Sequence, residues 1–339
     1  MAKILVTGGC GYIGSHTIID LLDNGYEVVS IDNLSKSLPS ALDNIATVAG
    51  KRVKNYEIDI CDKTALTQVF EQEKDISGII HFAALKSVPE SVALPLLYYR
   101  NNIESLVNLL EVCEQRKIAY FVFSSSCSVY GNANVLPVTE LSPLQEAESP
   151  YARTKQISEK IIWDCAQAAS SKFVVLRYFN PVGAHESGKI GEQPKDGVVF
   201  NIFPRITGTA LGKYEQFNVL GSDYTTRDGT CIRDYIHVMD IAHAHTLALQ
   251  YAAKKDTPKY DIFNLGTGTG VTVLEVIHAF EKVSGITLRY MLQPRRAGDV
   301  EAIYANNEKA ISLLGWQTTR DLDTMIRTAW EWEKQIFSK

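Results

Sequence analysis

The 339-residue chain is 45% hydrophobic and 22% charged, with a formal net charge of −5, a size that allows one large α/β unit or two domains sharing a cleft. A mildly acidic chain gains nothing from attraction to a phosphate backbone, which argues against nucleic acid as a partner. No apolar run reaches the length needed to cross a bilayer, so no membrane partner is expected. The six cysteines (Cys10, Cys61, Cys113, Cys127, Cys165 and Cys231) are scattered without a C-x-x-C pair, as expected of reduced thiols in a soluble cytoplasmic protein. With the first strand beginning at Lys3, no signal peptide is expected. His243 and His245 are two residues apart and cannot share a helix face, and no H-E-x-x-H occurs, so no metal site is expected.

In chain order, Lys3 to Thr7 reads as a short apolar strand running into Val6-Thr7-Gly8-Gly9-Cys10-Gly11-Tyr12-Ile13-Gly14. In this spacing Gly8 permits a tight turn, Gly11 lets a cofactor backbone approach, and Gly14 lets the next helix pack on the sheet. That helix, Tyr12 to about Asn24, aims its N-terminus and free amides at a pyrophosphate. The second strand, 27–31, ends at Asp32, where a carboxylate accepts both ribose hydroxyls of NAD and repels the 2′-phosphate of NADP. Lys36 weakens that preference without reversing it. No Gly-Lys-Ser/Thr follows the glycines, which excludes a Walker-type phosphate loop.

Further strands are predicted at 54–59, 78–83, 119–125 and 173–178, and helices near 63–73, 96–116 and 151–169. Apolar strands separated by amphipathic helices predict an α/β fold: a doubly wound parallel (Rossmann) sheet covered on both faces, with ligands beyond the carboxyl ends of its strands. Asp59 and Ile60 stand at one such end. Phe82, Ala83, Ala84, Leu85 and Lys86 stand at the next, followed by Ser124, Ser125 and Ser126, and then by Tyr178, Phe179 and Asn180. After Pro181 the rhythm changes to a long loop over 181–200 and then to short elements. The expected division is an NAD-binding domain over 1–180 and a smaller, discontinuous substrate-binding α/β domain over 181–339, with some segments packing back on the first.

Tyr151 and Lys155 fall at i and i+4 on the helix that follows Ser149-Pro150, and so share one face. A tyrosine with a reference pKa of about 10 is a poor base at neutral pH. A neighbouring ammonium and the positive ring of NAD⁺ both favour its phenolate. A serine at the fifth strand end can hydrogen-bond the same substrate hydroxyl. The pattern points to redox chemistry at a carbinol carbon.

The segments TGGCGYIGSHT, DNLS, HFAALKSVPES, FSSSCSVYG, SPYARTK, RYFNPVGAH, GTCIRDYIHVMD, Phe263-Asn264-Leu265-Gly266 and PRRAGDVEAIYAN carry a resemblance over nearly the whole chain. The sequence resembles the extended short-chain dehydrogenase/reductases and, within them, the UDP-glucose 4-epimerases (UDP-galactose 4-epimerases). RYFNPVGAH and RDYIHVMD are more specific than the glycine motif. The resemblance implies that Tyr151 is the base, Lys155 its pKa-lowering partner and ribose ligand, and Ser126 the third member. It implies an NAD site of Gly8, Gly11, Tyr12, Ile13, Gly14, Asp32, Asn33, Leu34, Ser35, Lys36, Ser37, Asp59, Ile60, Phe82, Ala83, Ala84, Leu85, Lys86, Asn101, Ser124, Tyr178 and Phe179 beside the catalytic pair. It places a nucleotide sugar against Lys86, Ser126, Tyr151, Asn180, Asn201, Ile202, Asn218, Leu220, Arg233, Arg296, Asp299 and Ile303.

The activity so implied is interconversion of UDP-galactose and UDP-glucose through a 4-keto sugar that turns over in the site, in a homodimer. Three departures stand out. Cys127 replaces the alanine usual after Ser126, a small-for-small change. Val199-Phe200-Asn201-Ile202-Phe203-Pro204 replaces a Pro-Asn-Asn-Leu-type stretch. Ile303 stands where a bulky aromatic forms a wall against N-acetyl groups, so UDP-N-acetyl sugars are the alternative substrates. A nucleotide-sugar 4,6-dehydratase would need an Asp-Glu pair where Cys127-Ser128 stands. A simple alcohol dehydrogenase would exchange NADH freely, and a non-catalytic NAD-sensing protein would have no need of the Tyr151-Lys155 pair.

Overall fold

The computed structural model describes residues 2–197, 201–296 and 299–337. The first half of the chain alternates strands β1 (Lys3–Thr7), β2 (Glu27–Ile31), β3 (Lys54–Tyr56), β4 (Ile76–His81), β5 (Tyr120–Ser126) and β6 (Lys172–Tyr178) with helices. The helices are α1 (Tyr12–Asp23), α2 (Ser40–Ala49), α3 (Lys63–Gln72), α4 (Val88–Ala93), α5 (Pro95–Tyr99), α6 (Ser105–Gln115) and α7 (Pro150–Ala168). The second half contributes β7 (Asn180–Val182), α8 (Ile202–Ala210), β8 (Phe217–Leu220), β9 (Ile232–Arg233), β10 (Tyr235–His237), α9 (Val238–Ala253) and β11 (Tyr260–Leu265). It ends with β12 (Val271–Thr272), α10 (Val273–Ser284), β13 (Tyr290–Gln293), β14 (Ala302–Ile303) and α11 (Leu322–Phe337).

Seven parallel strands form one sheet in the order β3-β2-β1-β4-β5-β6-β11. The order reverses between β1 and β4, and a doubly wound sheet opens its ligand crevice at that point. Successive residues of a strand face opposite sides. Ile4 and Val6 therefore pack with Ile18 and Ile19 of α1 and Leu249 of α9. Leu5 packs on the other side with Leu66 of α3, Leu106 of α6 and Ile162 of α7. A separate cluster, including Phe203, Phe217, Phe280 and Trp330, holds α8, α10 and α11 around β8.

The structure adds to the sequence reading in three places. The single helix expected over 96–116 is α5, a wider π-helical turn at Arg100–Glu104, and α6. The strand expected over 54–59 stops at Tyr56, which leaves Asp59 and Ile60 past its end, and the strand expected over 78–83 runs Ile76–His81. The seventh strand, β11, comes from the second half. Its Asp261 and Asn264 interrupt the apolar pattern, yet Asn264 is fully buried because Tyr130 Oη donates to its Oδ1 at 2.6 Å and its Nδ2 donates to Val138 O at 3.1 Å. Among the described residues no helix is long and apolar enough to cross a membrane.

Candidate active site

A cleft of roughly 900 Å³ runs along the carboxyl ends of the strands, at the upper end of the usual size for ligand sites. One end is built by the glycine turn. Gly8 has φ +70°, and a Cβ there would lie 2.9 Å from the Ala83 nitrogen, while a Cβ on Gly14 would meet Gly8 O at 2.2 Å. Neither position tolerates a side chain, so the turn closes against the loop after β4. Helix α1 then follows its N-cap Gly11, with no side-chain cap and no acidic residue in its first turn. Its first amides lack intrahelical partners and suit an anion.

Asp32 follows β2 and is buried. Its Oδ2 accepts from Cys10 N at 2.9 Å, and its Oδ1 accepts from Leu34 N at 2.9 Å and Ser37 Oγ at 2.7 Å. The carboxylate thus ties the glycine turn to the 32–37 loop.

At the centre stand the reacting candidates. Ser149 caps α7 by accepting from Ala152 N at 3.2 Å, and Pro150 fills the first turn. Tyr151 and Lys155 share the face turned to the cleft. Lys155 is 4% exposed; its Nζ donates to Ser124 O at 2.7 Å and lies 4.7 Å from the Phe123 ring centroid and 6.0 Å from that of Tyr151. Burial pushes this ammonium down to about 8, against the pull of Glu159. Burial, followed by the neighbouring Tyr178 phenol, pushes the Tyr151 phenol up, and a hydrogen bond with Ser126 opposes the rise. By the protein's own groups, Tyr151 is protonated at neutral pH.

The far end carries the nucleotide-sugar candidates. Arg233 Nη2 lies 3.7 Å from Asp299 Oδ1, and Arg296 donates to the same carboxylate through Nε at 3.1 Å and Nη2 at 2.7 Å. Two guanidiniums against one carboxylate leave net positive charge at this end. Among the described residues the buried Asn180 Oδ1 has no hydrogen-bond partner. Asn201 Nδ2 donates to both oxygens of Glu192, at 2.7 and 2.9 Å, and Lys86 Nζ donates to Glu192 Oε1 at 3.1 Å. Ile303 is 4% exposed and packs with Phe179, Val129 and Tyr130.

Most of the sequence candidates line this one cleft; five do not. Ser124 is fully buried, its Oγ donating to Tyr178 Oη at 2.9 Å and its carbonyl holding Lys155. Leu34 is 8% exposed and adopts φ 55°, and only its backbone is engaged, by Asp32 and by Lys195 Nζ at 2.8 Å. Asn218 and Leu220 sit on β8, paired in parallel with β13, and Ile202 begins α8 behind Asn201. Val199 and Phe200 lie outside the described residues.

The sequence reading missed the segment 190–196. Ile190 to Pro194 and Asp196 line the cleft, with Glu192 at its centre. Nothing in this Gly-, Pro- and charge-rich stretch marks it as more than a loop; its role follows from long-range contacts. Trp332, from α11, also lines the cleft and donates Nε1 to Glu192 O at 3.0 Å.

Comparison with known proteins agrees with this architecture. The family model described as GDP-mannose 4,6 dehydratase matches residues 5–329. The chain is 47% identical over 331 residues to the UDP-glucose 4-epimerase of Bacillus subtilis (strain 168), covering 97% of this chain and 96% of that protein. The crystal structure of UDP-glucose 4-epimerase from Bifidobacterium longum in complex with NAD⁺ and UDP superposes with a TM-score of 0.94 at 44% identity, covering 98% of each chain. The UDP-Glc/GlcNAc 4-epimerase of Campylobacter jejuni superposes with a TM-score of 0.84 at 40% identity, covering 99% of this chain and 100% of that one.

Proposed function

We propose that this chain, which belongs to the UDP-glucose 4-epimerase family of the extended short-chain dehydrogenase/reductases, interconverts UDP-galactose and UDP-glucose with a tightly held NAD. The observation that carries the proposal is the convergence in one cleft of the glycine turn, the Tyr151-Lys155 pair and the Arg233-Arg296 pair. A pyrophosphate fits the uncapped α1 N-terminus, and the ribose hydroxyls fit the Asp32 carboxylate, which disfavours a 2′-phosphate. When bound, NAD supplies the acceptor and donor of the C4 hydride.

Tyr151 takes the proton of the sugar 4-hydroxyl and later returns it, and Ser126 orients that hydroxyl. The raised pKa of the phenol means that Tyr151 becomes a base only when the bound cofactor adds its positive charge to that of the Lys155 ammonium already in place. Arg233 and Arg296 grip the diphosphate in forks. Affinity therefore rests on the remote UDP, and the 4-keto sugar is free to turn over.

The test is to mix the purified protein with UDP-galactose, without added nicotinamide, and follow UDP-glucose by NMR. Conversion is expected. Its absence even with added NAD⁺ would overturn the reading for this substrate. A 4,6-dehydratase lacks support, because Cys127 and Ser128 stand where its acid and base are needed, and burial pushes the Cys127 thiol up to about 12, out of range for proton transfer.

Turnover of UDP-N-acetylglucosamine is favoured by one observation: the buried wall at 303 is isoleucine rather than an aromatic. If so, Ile303→Tyr abolishes N-acetyl turnover and spares UDP-galactose. The units assigned are 1–180 for NAD and 181–339 for the nucleotide sugar, with α9 and β11 returned to the first. A homodimer is supported by exposed apolar side chains on α4 to α7, among them Val92, Leu94, Leu96, Val107 and Trp163, and light scattering tests it. The six free cysteines favour a cytoplasmic setting.

A further inference from the structure

Glu159 and Arg177 are 4% and 3% exposed, and neither lines the cleft. Arg177 forks onto the carboxylate, Nε to Oε1 at 3.0 Å and Nη2 to Oε2 at 2.6 Å, and Ser125 Oγ donates to Oε1 at 2.5 Å. The remaining guanidinium nitrogen, Nη1, donates to Tyr130 Oη at 2.9 Å, which donates in turn to Asn264 Oδ1 at 2.6 Å. One ion pair thereby joins α7, β5, β6, β11 and the turn after β5.

Its location gives the pair its meaning. Ser125 lies between Ser124, whose carbonyl holds Lys155, and Ser126, which bears on Tyr151. Arg177 adjoins Tyr178, whose hydroxyl accepts from Ser124. Glu159 follows Lys155 by four residues on α7, so the two occupy one helix face. A fully buried ion pair is a poor way to gain stability, since packed apolar residues often serve as well. Burial of this pair directly beneath the reacting groups calls for another explanation.

We propose that Glu159 is a positioning residue for the reaction: clamped by Arg177 and Ser125, it fixes the ends of β5 and β6 to the helix bearing Tyr151 and Lys155, and it keeps a carboxylate one turn from the Lys155 ammonium. The inference rests on the epimerase reading of the cleft. Electrostatics agree with the geometry, because Glu159 opposes the downward push of burial on Lys155. The other titratable groups around Lys155 and the pair are Tyr151 on α7, His81 at the end of β4, Tyr178 on β6, Tyr260 on β11 and Tyr130. His81 is neutral, its pKa pushed down to about 3 by burial and by Lys155. Tyr260 is held up by burial and by Glu159. Tyr130 is held up by burial against the pull of Arg177. None of these supplies a negative charge near neutral pH, and the Glu140 carboxylate meets the network at Asn264 N, at 2.8 Å, and at Tyr130 rather than at Lys155.

The experiment compares the wild-type enzyme, with its retained cofactor, against Glu159→Gln, Glu159→Asp and the neutral double variant Glu159→Gln/Arg177→Met. Lys155 is titrated by NMR in protein labelled with ¹³C at lysine Cε, its signal assigned by Lys155→Arg. Glu159→Gln is expected to lower the Lys155 midpoint by about one unit and kcat about tenfold with KM within about twofold. The alkaline limb of the pH profile should move to lower pH, and Glu159→Asp should recover part of each loss. The double variant, which leaves no orphan charge, should shift the midpoint less. If Glu159→Gln does not fold, the double variant carries the test, because neutral replacement of a buried pair is tolerated. An unmoved Lys155 midpoint with unchanged kcat, and only a lower Tm, overturns the proposal and leaves the pair as a strut. Failure of the wild type to convert UDP-galactose sinks the epimerase reading instead, and the Lys155 titration is read without substrate.

Discussion

The two walls of the cleft are made by different means. The wall that carries Tyr151, Lys155 and Ser126 grows from parallel strands and a 19-residue helix, and its polar groups are bonded in depth. The facing wall, with Arg233, Arg296 and Ile303, stands on two-residue strands and loops. The Arg296 side chain is 48% exposed there, against 4% for Lys155. The first wall suits chemistry, which fails when a base is misplaced by an ångström. The second suits a ligand handle, where charge and reach matter more than fixed geometry. On the wall proposed for the chemistry the groups are buried and bonded in depth, whereas on the wall proposed to hold the substrate Arg233 is partly and Arg296 half exposed.

The sharpest way to break that division is Tyr151→Phe. Removing one hydroxyl from the rigid wall should lower kcat about 10³-fold, with cofactor retention and KM near wild type. A variant keeping a tenth of the activity would show that another group takes the proton. On the opposite wall, Arg233→Ala should raise KM for UDP-galactose by about 10- to 100-fold and change kcat only a few-fold. Arg296→Ala should cost less, because its half-exposed guanidinium is screened by solvent. Steady-state kinetics on both variants checks the ordering, and a larger kcat than KM effect would erase the contrast.

Lys155 offers a test without substrate. Its native pKa is pushed down to about 8 by burial, whereas an unfolded lysine titrates near about 10.4. Between those values the unfolded chain binds the extra proton, so this group makes unfolding costlier as pH rises. The slope it contributes approaches about 1.4 kcal/mol per pH unit, a tenfold change in the unfolding equilibrium. Urea melts from pH 7 to 10 should therefore show Lys155→Met losing its stability advantage over wild type as pH rises. A difference that stays flat with pH would mean that the amine is solvated in the native state.

How much of this the sequence announced differs between the walls. The glycine turn, Asp32 and the Tyr151-Lys155 spacing are local patterns, fixed by the geometry of one turn or one helix, and each could be read directly. Asn218 and Leu220 could not be placed, because a strand that pairs with β13 across about seventy residues leaves no local trace. Strand β11 was hidden by Asn264, a polar residue made acceptable in the core only by Tyr130 and Val138. The 190–196 segment was invisible for the same reason: its importance lies in partners distant along the chain.

That segment sets the smallest effect. Glu192 receives Lys86 from the β4 loop, Asn201 from the second half and Trp332 from α11. Lys195 N donates to Lys36 O at 3.2 Å, so the same stretch spans the loop that follows Asp32. If it acts as a strap over the cofactor, Glu192→Gln removes the charge that Lys86 meets and one of the two oxygens that Asn201 holds, while keeping the shape of the side chain. The Lys86 ammonium is 62% exposed, and an ion pair so screened contributes about 0.5 kcal/mol. The expected result is cofactor release about two- to threefold faster, with kcat unchanged, measured by chasing labelled NAD from the purified enzyme. A release rate equal to wild type would show that retention belongs to the glycine turn and Asp32 alone, and would shift the hold on the cofactor wholly to the sheet.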